Sequence, residues 1–412
     1  MVASGGARAV ARCDTLGIAP YSDMEGGLYR AYLTPAYHAA QAALSGWMAE
    51  AGMAVTRDPA ANLVGRYEGT DPAAPALLIG SHLDSVRDGG RYDGPLGIML
   101  GVEAVAALHA AGRRMPFPIE VIAFGDEEGS RFPAAMLTSR AVAGTLDAAA
   151  LDLSDGHGVA LADAGVDLAT YRSAARSPKS TLAYLEAHIE QGPLLEAEGL
   201  AVGTVTGIAA QLRYQIQVAG MAGHAGTTTM PLRRDALAGA AEMVLAIERI
   251  ARAENSDLVA TVGRLEVAPG AANVIVGAVR CTLDVRAGNA ERRDKAAETI
   301  LCELREIAAR RDLDFAANLI HDLPASPCDP VLMDMMDAAI AGAGQPVRRL
   351  VSGAGHDAMV MASLCPTAML FIRCRGGISH NPAEHVEIAD VEVALQVMFG
   401  FIDQLGASLV HA

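Results

Sequence analysis

The feature that most constrains the fold is a pair of short strand-like segments with a helix-length segment between them. Residues 76–82 have the continuous apolar character of a buried strand, and residues 119–124 also predict a strand. Residues 95–111, between the two, predict a helix. Strands that alternate with helices indicate an α/β sheet, largely parallel and covered on both faces.

Polar residues stand where both strands are predicted to end. His82 closes the first strand, and Glu127 and Glu128 follow the second. In open α/β sheets, ligands bind beyond the carboxyl ends of the strands. We therefore expect these three side chains to lie at a functional site.

The element pattern changes between residues 211 and 322. The predicted elements there are strand 212–219, helix 234–252, strands 258–267 and 278–286, helix 291–311 and strand 313–320. This βαββαβ order is the ferredoxin-like pattern. Residues 323–412 again predict strands and helices in the pattern of the first part of the chain. The sequence thus predicts a discontinuous catalytic domain of residues 1–210 and 323–412, with a small domain of residues 211–322 inserted into it.

Composition excludes several classes of function. The net charge is −16 and the only lysines are Lys179 and Lys295, which argues against binding to nucleic acid. No run of 18 residues lacks a charge or a turn residue, so no membrane span is predicted. The six cysteines show no CxxC spacing, and residues 1–8 have no long apolar core, so we expect a cytoplasmic protein with reduced thiols.

Acids and histidines in turn-rich segments suit a site for two divalent metal ions. The five segments are residues 81–84, 92–94, 126–132, 186–192 and 378–382. Imidazole and carboxylate are the ligands expected for zinc, manganese or nickel, and a further glutamate can act as a base toward water. One segment alone would be weak support, but five in one chain indicate a site.

Two of the acids have a geometric reason to serve a metal site. His82 and Asp84 are two residues apart, so in extended backbone the Asp84 carboxylate can hold the far nitrogen of His82. The alternative is a strand-end histidine capped by a turn aspartate. Asp93 precedes Gly94-Pro95 in a turn that can aim both carboxylate oxygens outward, as a bridging ligand requires, although a bare Asp-Gly turn is the commoner interpretation.

The remaining candidates also have two interpretations. The side chains of Glu127 and Glu128 diverge, so one can bind a metal while the other acts as general base, or both can be solvated loop charges. Strand alternation places Glu186 and His188 on one polar face, which could bind a metal or meet water. His380 lies in a glycine-containing turn and completes the set.

Seven motifs follow one another along nearly the whole chain. They are GSHLDS, GGRYDGPLG, DEEGSRFP, EAHIEQGPLLE, GHAGTTTMPLRRDA, SGAGHDA and GISHNPAEH. In this order they resemble the amidase, hydantoinase/carbamoylase family, which is related to dinuclear aminoacylase-like metallopeptidases. The resemblance implies two divalent metal ions per subunit, among zinc, manganese, nickel and cobalt. It assigns the roles as follows: His82 and His188 on one metal, Glu128 and His380 on the other, Asp93 bridging both, and Glu127 as the base.

The resemblance also implies substrate contacts. His224 resembles the family's lid histidine, which donates to the oxyanion of the tetrahedral intermediate. Asn273 and Arg286 match positions that hold the substrate carboxylate, a task that suits a planar guanidinium, although Arg286 alone would pass for a surface arginine. Gln191 is expected to face the substrate.

A short segment near the C-terminal part of the chain completes the implied site. Gly353 and Ala354 are expected to contact the substrate. His356 and Asp357 are expected to form a wall of the site or to support its ligands.

The family resemblance implies hydrolysis of a carbamoyl or ureido C–N bond in a small substrate that bears a carboxylate. Allantoate is slightly favoured over N-carbamoyl-L-amino acids. An aminoacylase or dipeptidase on the same scaffold is the main alternative. His188 argues against it, because peptidase relatives usually carry a carboxylate at that ligand. A third hypothesis is a metal-stabilised binding protein without turnover. Glu127, which is not a ligand, argues against it, because structural metal binding does not need a base.

Three structural expectations accompany the resemblance. The Asp93–Gly94 peptide is a candidate for a cis bond. Residues 211–322 are expected to form the interface of a two-fold homodimer, because an edge strand tends to be paired or covered. Hinges near residues 208–212 and 321–325 are expected to allow closure over the metals.

Overall fold

The computed structural model describes residues 4–410, which divide into two compact units. Unit 1 takes in the described residues up to Thr206, Pro327–Leu350 and those from Ala354 onward. Unit 2 comprises Gly207–Ser326 and Val351–Gly353. Each unit has its own cluster of buried apolar side chains.

The helices and strands of the described chain are numbered separately along the sequence. The helices are α1 (Gly5–Leu16), α2 (Pro35–Glu50), α3 (Pro95–Ala110), α4 (Leu137–Ala143), α5 (Leu168–Tyr171), α6 (Leu194–Glu198), α7 (Ala236–Ala253), α8 (Ala290–Arg310), α9 (Pro330–Gly342), α10 (Asp357–Met361) and α11 (Ile388–Val410). The strands are β1 (Ala54–Arg57), β2 (Leu63–Tyr67), β3 (Ala76–His82), β4 (Ile119–Phe124), β5 (Thr181–Ile189), β6 (Val202–Ile208), β7 (Ala210–Ala219), β8 (Gly223–His224), β9 (Val259–Thr261), β10 (Leu265–Ala268), β11 (Val274–Ile275), β12 (Ala278–Ala287), β13 (Asp314–Leu323), β14 (Ser326–Pro327), β15 (Arg349–Ser352) and β16 (Thr367–Ile372).

The large sheet has the strand order β1-β2-β4-β3-β5-β16-β6-β14, with β15 paired to β6. Its four central strands, β4, β3, β5 and β16, are parallel to one another. The flanking pairs β1–β2, β2–β4 and β16–β6 are antiparallel, so the expectation of a largely parallel sheet is wrong at both sides. Residues 58–62, which join β1 to β2, are too few for the crossover that a parallel pair needs.

The centre of this sheet is buried on both faces. Every residue of β3 and of β4 is buried, and the apolar character of residues 76–82 predicted this for β3. Full burial of each aliphatic side chain, such as Ile79 or Val121, contributes about 1.5–3 kcal/mol relative to exposure. The helix between the two strands, α3, begins with Pro95 at its first position, where the missing N–H has no helical partner to lose.

The N-terminal helix α1 was not predicted. It packs against α3 and α11. The buried carboxylate of Glu103 in α3 binds Arg8 at 2.6 Å and Arg12 at 2.7 Å, both of which lie on α1. These partners are far apart in sequence, so local periodicity gave no sign of their pairing.

Unit 2 contains an antiparallel sheet in the order β10-β12-β7-β13, with β9 also paired to β12. Helices α7 and α8 pack against this sheet and against each other. Apart from the short strands β8 and β11, which pair with each other, the element order is βαββαβ, with its second strand divided into β9 and β10. The single predicted strand 258–267 is therefore wrong in one respect: it breaks around Gly263, since a glycine inside a strand weakens it.

No helix within residues 4–410 combines the length and the apolar character that crossing a bilayer requires.

Candidate metal centre

The predicted ligands converge at the carboxyl ends of the four parallel strands of unit 1. His82 is the last residue of β3, and His188 is the last but one of β5. Glu127 and Glu128 follow the end of β4, and His380 lies in the loop after β16. The sheet therefore brings together side chains that are nearly 300 positions apart.

Asp93 lies at the centre of this group. Its Oδ1 is 3.1 Å from Nε2 of His188 and 3.6 Å from Nε2 of His82. Its Oδ2 is 3.3 Å from Nε2 of His380, which in turn is 3.3 Å from Oε1 of Glu128. One carboxylate thus serves two sets of candidate ligands, one on each of its oxygens.

The two ligand sets fit divalent cations. His82, Asp93 and His188 form one set, and Asp93, Glu128 and His380 form the other; within each set the ligand atoms lie within 4.8 Å of one another. Oδ1 of Asp93 and Nε2 of His188 are buried without a hydrogen-bond partner of good geometry. Nitrogen and oxygen donors of this kind suit zinc and the neighbouring divalent metals.

The turn that carries Asp93 depends on a glycine. Gly94 has a φ of 85°, a conformation that favours glycine, and a Cβ there would lie 2.6 Å from the ring atoms Nδ1 and Cε1 of His82. The cis peptides among residues 4–410 precede Pro20 and Pro269, so the Asp93–Gly94 peptide is trans and the predicted cis bond is wrong. The positive φ of Gly94 makes the turn without the cost of about 2.5–4 kcal/mol that a cis bond outside proline carries.

Main-chain carbonyls orient both imidazole rings. Nδ1 of His82 lies 3.0 Å from the carbonyl oxygen of Asp84, and Nδ1 of His188 lies 2.9 Å from that of Ile189. Each Nδ1–H can donate to its carbonyl, which leaves Nε2 facing Asp93. Such a contact fixes the tautomer and the ring orientation of a metal-binding histidine.

The side chain of Asp84 does not have its predicted partner. Its Oδ1 is 3.9 Å from Nδ1 of His82, too far for a hydrogen bond. The carboxylate instead accepts hydrogen bonds from the main-chain N–H groups of Glu127 at 3.2 Å and Glu128 at 3.4 Å. Because the Asp84 carbonyl already holds the ring, its carboxylate is turned toward the loop after β4 and positions both glutamates there.

Glu127 lines a cavity of about 230 Å³ at this centre. Burial raises the pKa of its carboxyl group well above the usual value, His82 partly opposes this, and Asp357 adds to it. The carboxylate also lies within 4.8 Å of ligand atoms of His82 and Glu128. Besides the candidate ligands and Glu127, the cavity is lined by Ala135, Met136, Gln191, Ala354, Gly355 and His356.

Buried carboxyl groups are concentrated around the centre. Burial raises the pKa of Asp84 to about 6, of Asp126 to about 8 and of Glu384 to about 7. Burial also opposes ionisation of Asp93, but contacts with its three histidine neighbours hold its pKa well below the usual value. So many buried carboxyl groups in one region are consistent with bound cations as counter-charges.

Two polar side chains hold the carboxylate of Asp93 in place. Its Oδ2 accepts hydrogen bonds from Nε2 of Gln191 at 3.0 Å and from Oγ of Ser379 at 2.7 Å. Gln191 has a φ of 56°, in the left-handed region. Gln191 therefore contacts the candidate bridging ligand in addition to lining the cavity.

The predicted supporting pair, His356 and Asp357, lies beside the ligands. The ring of His356 packs against that of His188 at a centroid distance of 4.5 Å, and burial followed by the charge of His188 lowers the pKa of His356 well below its usual value. Asp357 begins α10, and both of its carboxylate oxygens are buried without a hydrogen-bond partner of good geometry. His356 is thus a neutral wall beside the ligands.

Unit 2 brings two of its predicted substrate residues, His224 and Asn273, close together. His224 in β8 pairs with Val274 of β11, and the carbonyl of Asn273 accepts from the N–H of Ala225 at 3.0 Å. The ring of His224 is exposed, and its Nδ1 accepts from the N–H of Gly226. His224 therefore lies on a two-stranded ribbon, and Asn273 lies directly before the second strand of that ribbon.

Arg286 stands apart from that ribbon, on β12. Its Nε donates to Oδ1 of Asp284 at 2.7 Å, and its Nη1 donates to the carbonyl of Gly353 at 2.5 Å. The structure thus joins two predicted substrate residues, Arg286 and Gly353. Asp284, which orients the guanidinium, was not predicted.

Comparisons with known proteins place the chain in a family. A family model described as peptidase family M20/M25/M40 matches residues 78–404. The chain belongs to this family. An N-carbamoyl-L-amino acid amidohydrolase from Geobacillus stearothermophilus is 42% identical over 384 residues, which cover 92% of this chain and 94% of that protein. An allantoate deiminase from Glycine max is 39% identical over 432 residues, which cover 96% of this chain and 89% of that protein.

A solved structure of similar size supports the same placement. The crystal structure of a hydantoinase/carbamoylase family amidase from Burkholderia ambifaria shares 35% identity, covers 97% of each chain and has a TM-score of 0.90. Within family M20/M25/M40, the chain is therefore grouped with the hydantoinase/carbamoylase amidases, and the resemblance drawn from the motifs is confirmed.

The sequence placed Glu186 on one strand face with His188, but it did not reveal the contacts that make Glu186 a supporting residue of this M20-family site. Glu186 is fully buried and accepts hydrogen bonds from Oγ of Ser81 at 3.1 Å, the hydroxyl of Tyr184 at 3.0 Å and the N–H of Ala358 at 2.9 Å. A signal was present, since Glu186 lies two residues before His188 on the same strand face. Its partners, however, come from three separate segments.

Proposed function

We propose that this chain is a two-metal amidohydrolase that cleaves a carbamoyl or ureido C–N bond in a small substrate bearing a carboxylate. The observation that carries the proposal is the position of Asp93, whose two oxygens face two separate ligand sets beside the buried Glu127. The similarity to an N-carbamoyl-L-amino acid amidohydrolase and to an allantoate deiminase supports this substrate class.

The proposed ligands are divided between two metal positions. His82 and His188 hold one ion and Glu128 and His380 hold the other, with Asp93 shared. Zinc, manganese, nickel and cobalt all accept this donor set. When bound, the ions polarise the substrate carbonyl and make a water molecule more acidic.

Glu127 is the proposed proton carrier. It takes a proton from water as the water oxygen adds to the ureido carbon, and it gives that proton to the leaving nitrogen as the C–N bond breaks. The carbamate released in this step decomposes to ammonia and carbon dioxide. The raised pKa of Glu127 supports this role, because burial helps its carboxyl group to hold a proton.

The substrate-binding roles are also part of the proposal. Arg286 and Asn273 bind the substrate carboxylate, and His224 donates to the oxyanion. The Nε and Nη1 contacts of Arg286 with Asp284 and Gly353 support a fixed guanidinium, which favours bidentate capture of a carboxylate.

A cytoplasmic homodimer remains part of the proposal. Strand β13 lies at one end of the unit 2 sheet order, and it carries Leu319 and Ile320 with half or more of each side chain exposed. An edge strand of this kind is a natural site for pairing with a second chain.

A substrate panel tests the proposed reaction. The metal-reconstituted protein is assayed with N-carbamoyl-L-amino acids, allantoate, N-acyl amino acids and dipeptides, and released ammonia and carbon dioxide are measured together. We expect turnover on the carbamoyl or ureido compounds with both products released. Faster turnover of dipeptides or N-acyl amino acids would replace the proposal with an aminoacylase or dipeptidase, and no turnover of any substrate would leave a metal-binding protein.

A further inference from the structure

A buried glutamate outside the predicted site contacts the main chain of the central ligand. Glu384 lies four residues after His380 in the same loop, and only 5% of it is exposed. Its Oε1 accepts hydrogen bonds from the N–H groups of Tyr92 at 2.7 Å and Asp93 at 3.1 Å. Its Oε2 is buried without a partner of good geometry.

The neighbouring glycine leaves room for this contact. A Cβ added at Gly90 would overlap the carboxyl group of Glu384. Gly90 does not have a positive φ, so the conformation of its backbone does not itself demand glycine. The close approach of the Glu384 side chain accounts for the glycine at this position.

The segment from Ser379 to Glu384 holds Asp93 at three points. Ser379 donates to Oδ2 of Asp93, Nε2 of His380 lies 3.3 Å from the same oxygen, and Glu384 accepts from the main-chain N–H of Asp93. The first two contacts act on the side chain alone. Only Glu384 fixes the backbone from which that side chain extends, and it ties this backbone to the segment that carries His380.

We propose that Glu384 is a positioning residue that fixes the main chain of Asp93, so that the two oxygens of Asp93 face both ligand sets at once. Burying a carboxylate is costly unless it is hydrogen-bonded, and two donors on one oxygen offset part of that cost. Without this contact the Tyr92–Asp93 backbone is free to shift, and one of the two ligand sets loses its shared oxygen.

The test is binding of Co²⁺ to the metal-free full-length protein, followed by visible absorption and by elemental analysis after equilibrium dialysis. For Glu384→Ala we expect a folded protein in which one of two Co²⁺ ions binds about 10- to 100-fold more weakly, the usual effect of losing a residue that supports a ligand. Glu384→Gln keeps an oxygen that can accept from both N–H groups, and we expect it to bind two ions as the unchanged protein does. Glu387→Ala, an exposed position of the same loop, is the matched control.

Gly90→Ala supplies an independent arm of the test. The added methyl group displaces the Glu384 side chain without removing any polar group, so we expect it to weaken the same Co²⁺ ion. In the Gly90→Ala/Glu384→Ala double variant the methyl group meets no carboxylate, so we expect no further loss beyond that of Glu384→Ala. This arm keeps the inference testable if Glu384→Ala does not fold.

The inference rests on the metal-binding part of the proposed function, and the results separate the two. If the unchanged protein binds no Co²⁺, the proposed metal centre itself is wrong. If the unchanged protein binds two ions and Glu384→Ala binds them equally well, only the role of Glu384 is overturned. The role of Glu384 would also be overturned if Glu384→Gln lost as much affinity for Co²⁺ as Glu384→Ala. Unchanged Co²⁺ binding in Gly90→Ala would overturn it as well.

Discussion

Nε2 of His188 lies 3.1 Å from Oδ1 of Asp93, and both atoms are buried without a hydrogen-bond partner of good geometry. Nδ1 of the same ring faces the carbonyl of Ile189, so a neutral ring carries its proton on Nδ1. The lone pair on Nε2 then faces a carboxylate oxygen at close range. A divalent cation held by His188 and Asp93 would turn this repulsion into a favourable interaction.

Replacing the imidazole tests whether it is a ligand. We expect His188→Ala to bind metal at least about 10- to 100-fold more weakly, since even residues that only support a ligand have effects of this size. Metal content after dialysis is the measurement, and His157→Ala, which changes an exposed loop histidine, is the control. Unchanged metal content would remove His188 from the ligand set.

The general-base role of Glu127 has its own signature. Glu127→Gln is expected to keep both metal ions and to lose about 10²- to 10⁴-fold in kcat, because it removes a base and leaves the ligands intact. Turnover and bound metal are measured on the same preparation, with the exposed Glu196→Gln as control. More than a tenth of normal activity in Glu127→Gln would contradict the assignment.

The central strands could be predicted because their information is local. Residues 76–82 and 119–124 form strands with the predicted bounds, since short, mostly apolar runs of this length have few other solutions. The antiparallel flanks of the same sheet and the N-terminal helix α1 could not be predicted this way. Strand order and the pairing of Glu103 with α1 depend on contacts between distant segments.

The same distinction applies to the candidate site. The sequence motifs identified His82, Asp93 and the other candidate ligands, which the structure brings together. They did not reveal the supporting contacts: Asp84 binds main-chain N–H groups rather than the His82 ring, and Glu384 reaches a loop 291 positions away. These contacts arise only where two loops meet in the folded protein.

Arg286 is expected to act on substrate affinity and not on the metals. Arg286→Ala should raise KM about 10- to 100-fold for carboxylate-bearing substrates, since a hydrogen bond to a charged group contributes about 1.5–3 kcal/mol. Asp284 keeps a partner in this variant, because Nη2 of Arg213 lies 2.7 Å away. Arg280→Ala, on the same face of the same strand, is the matched control. If KM is the same in both variants, Arg286 is not the carboxylate anchor.

Asp357 makes the stability of the metal-free protein depend on pH. Burial, followed by the charge of Glu186, raises the pKa of Asp357 to about 8, whereas an unfolded aspartate titrates at about 3.9. The folded state therefore holds a proton that the unfolded state loses, and the stability present at acid pH is lost as the pH rises from about 4 to about 8.

Asp357→Asn removes this titration. We expect the variant and the unchanged protein to have similar Tm values near the acid end of that window, and the variant to be more stable at the alkaline end. Each kcal/mol gained corresponds to roughly 2–4 °C or less in a chain of this size. Thermal unfolding of metal-stripped protein across the window is the measurement, with the exposed Asp163→Asn as control. If the Tm difference between the two proteins does not grow with pH, folding does not raise the pKa of Asp357.

The last prediction concerns assembly through unit 2. Strand β13 pairs with β7 on one side and ends the strand order on the other, and Leu319 and Ile320 on it are 50% and 55% exposed. A charge on an edge strand opposes pairing with another edge, so we expect Ile320→Asp to convert a dimer into a monomer. Light scattering at micromolar concentration measures this, and Leu245→Asp, at a position 66% exposed on α7, is the matched control. A monomeric unchanged protein would refute the dimer itself. If the dimer survives Ile320→Asp but not Leu245→Asp, the interface lies at the exposed face of α7 and not at the β13 edge.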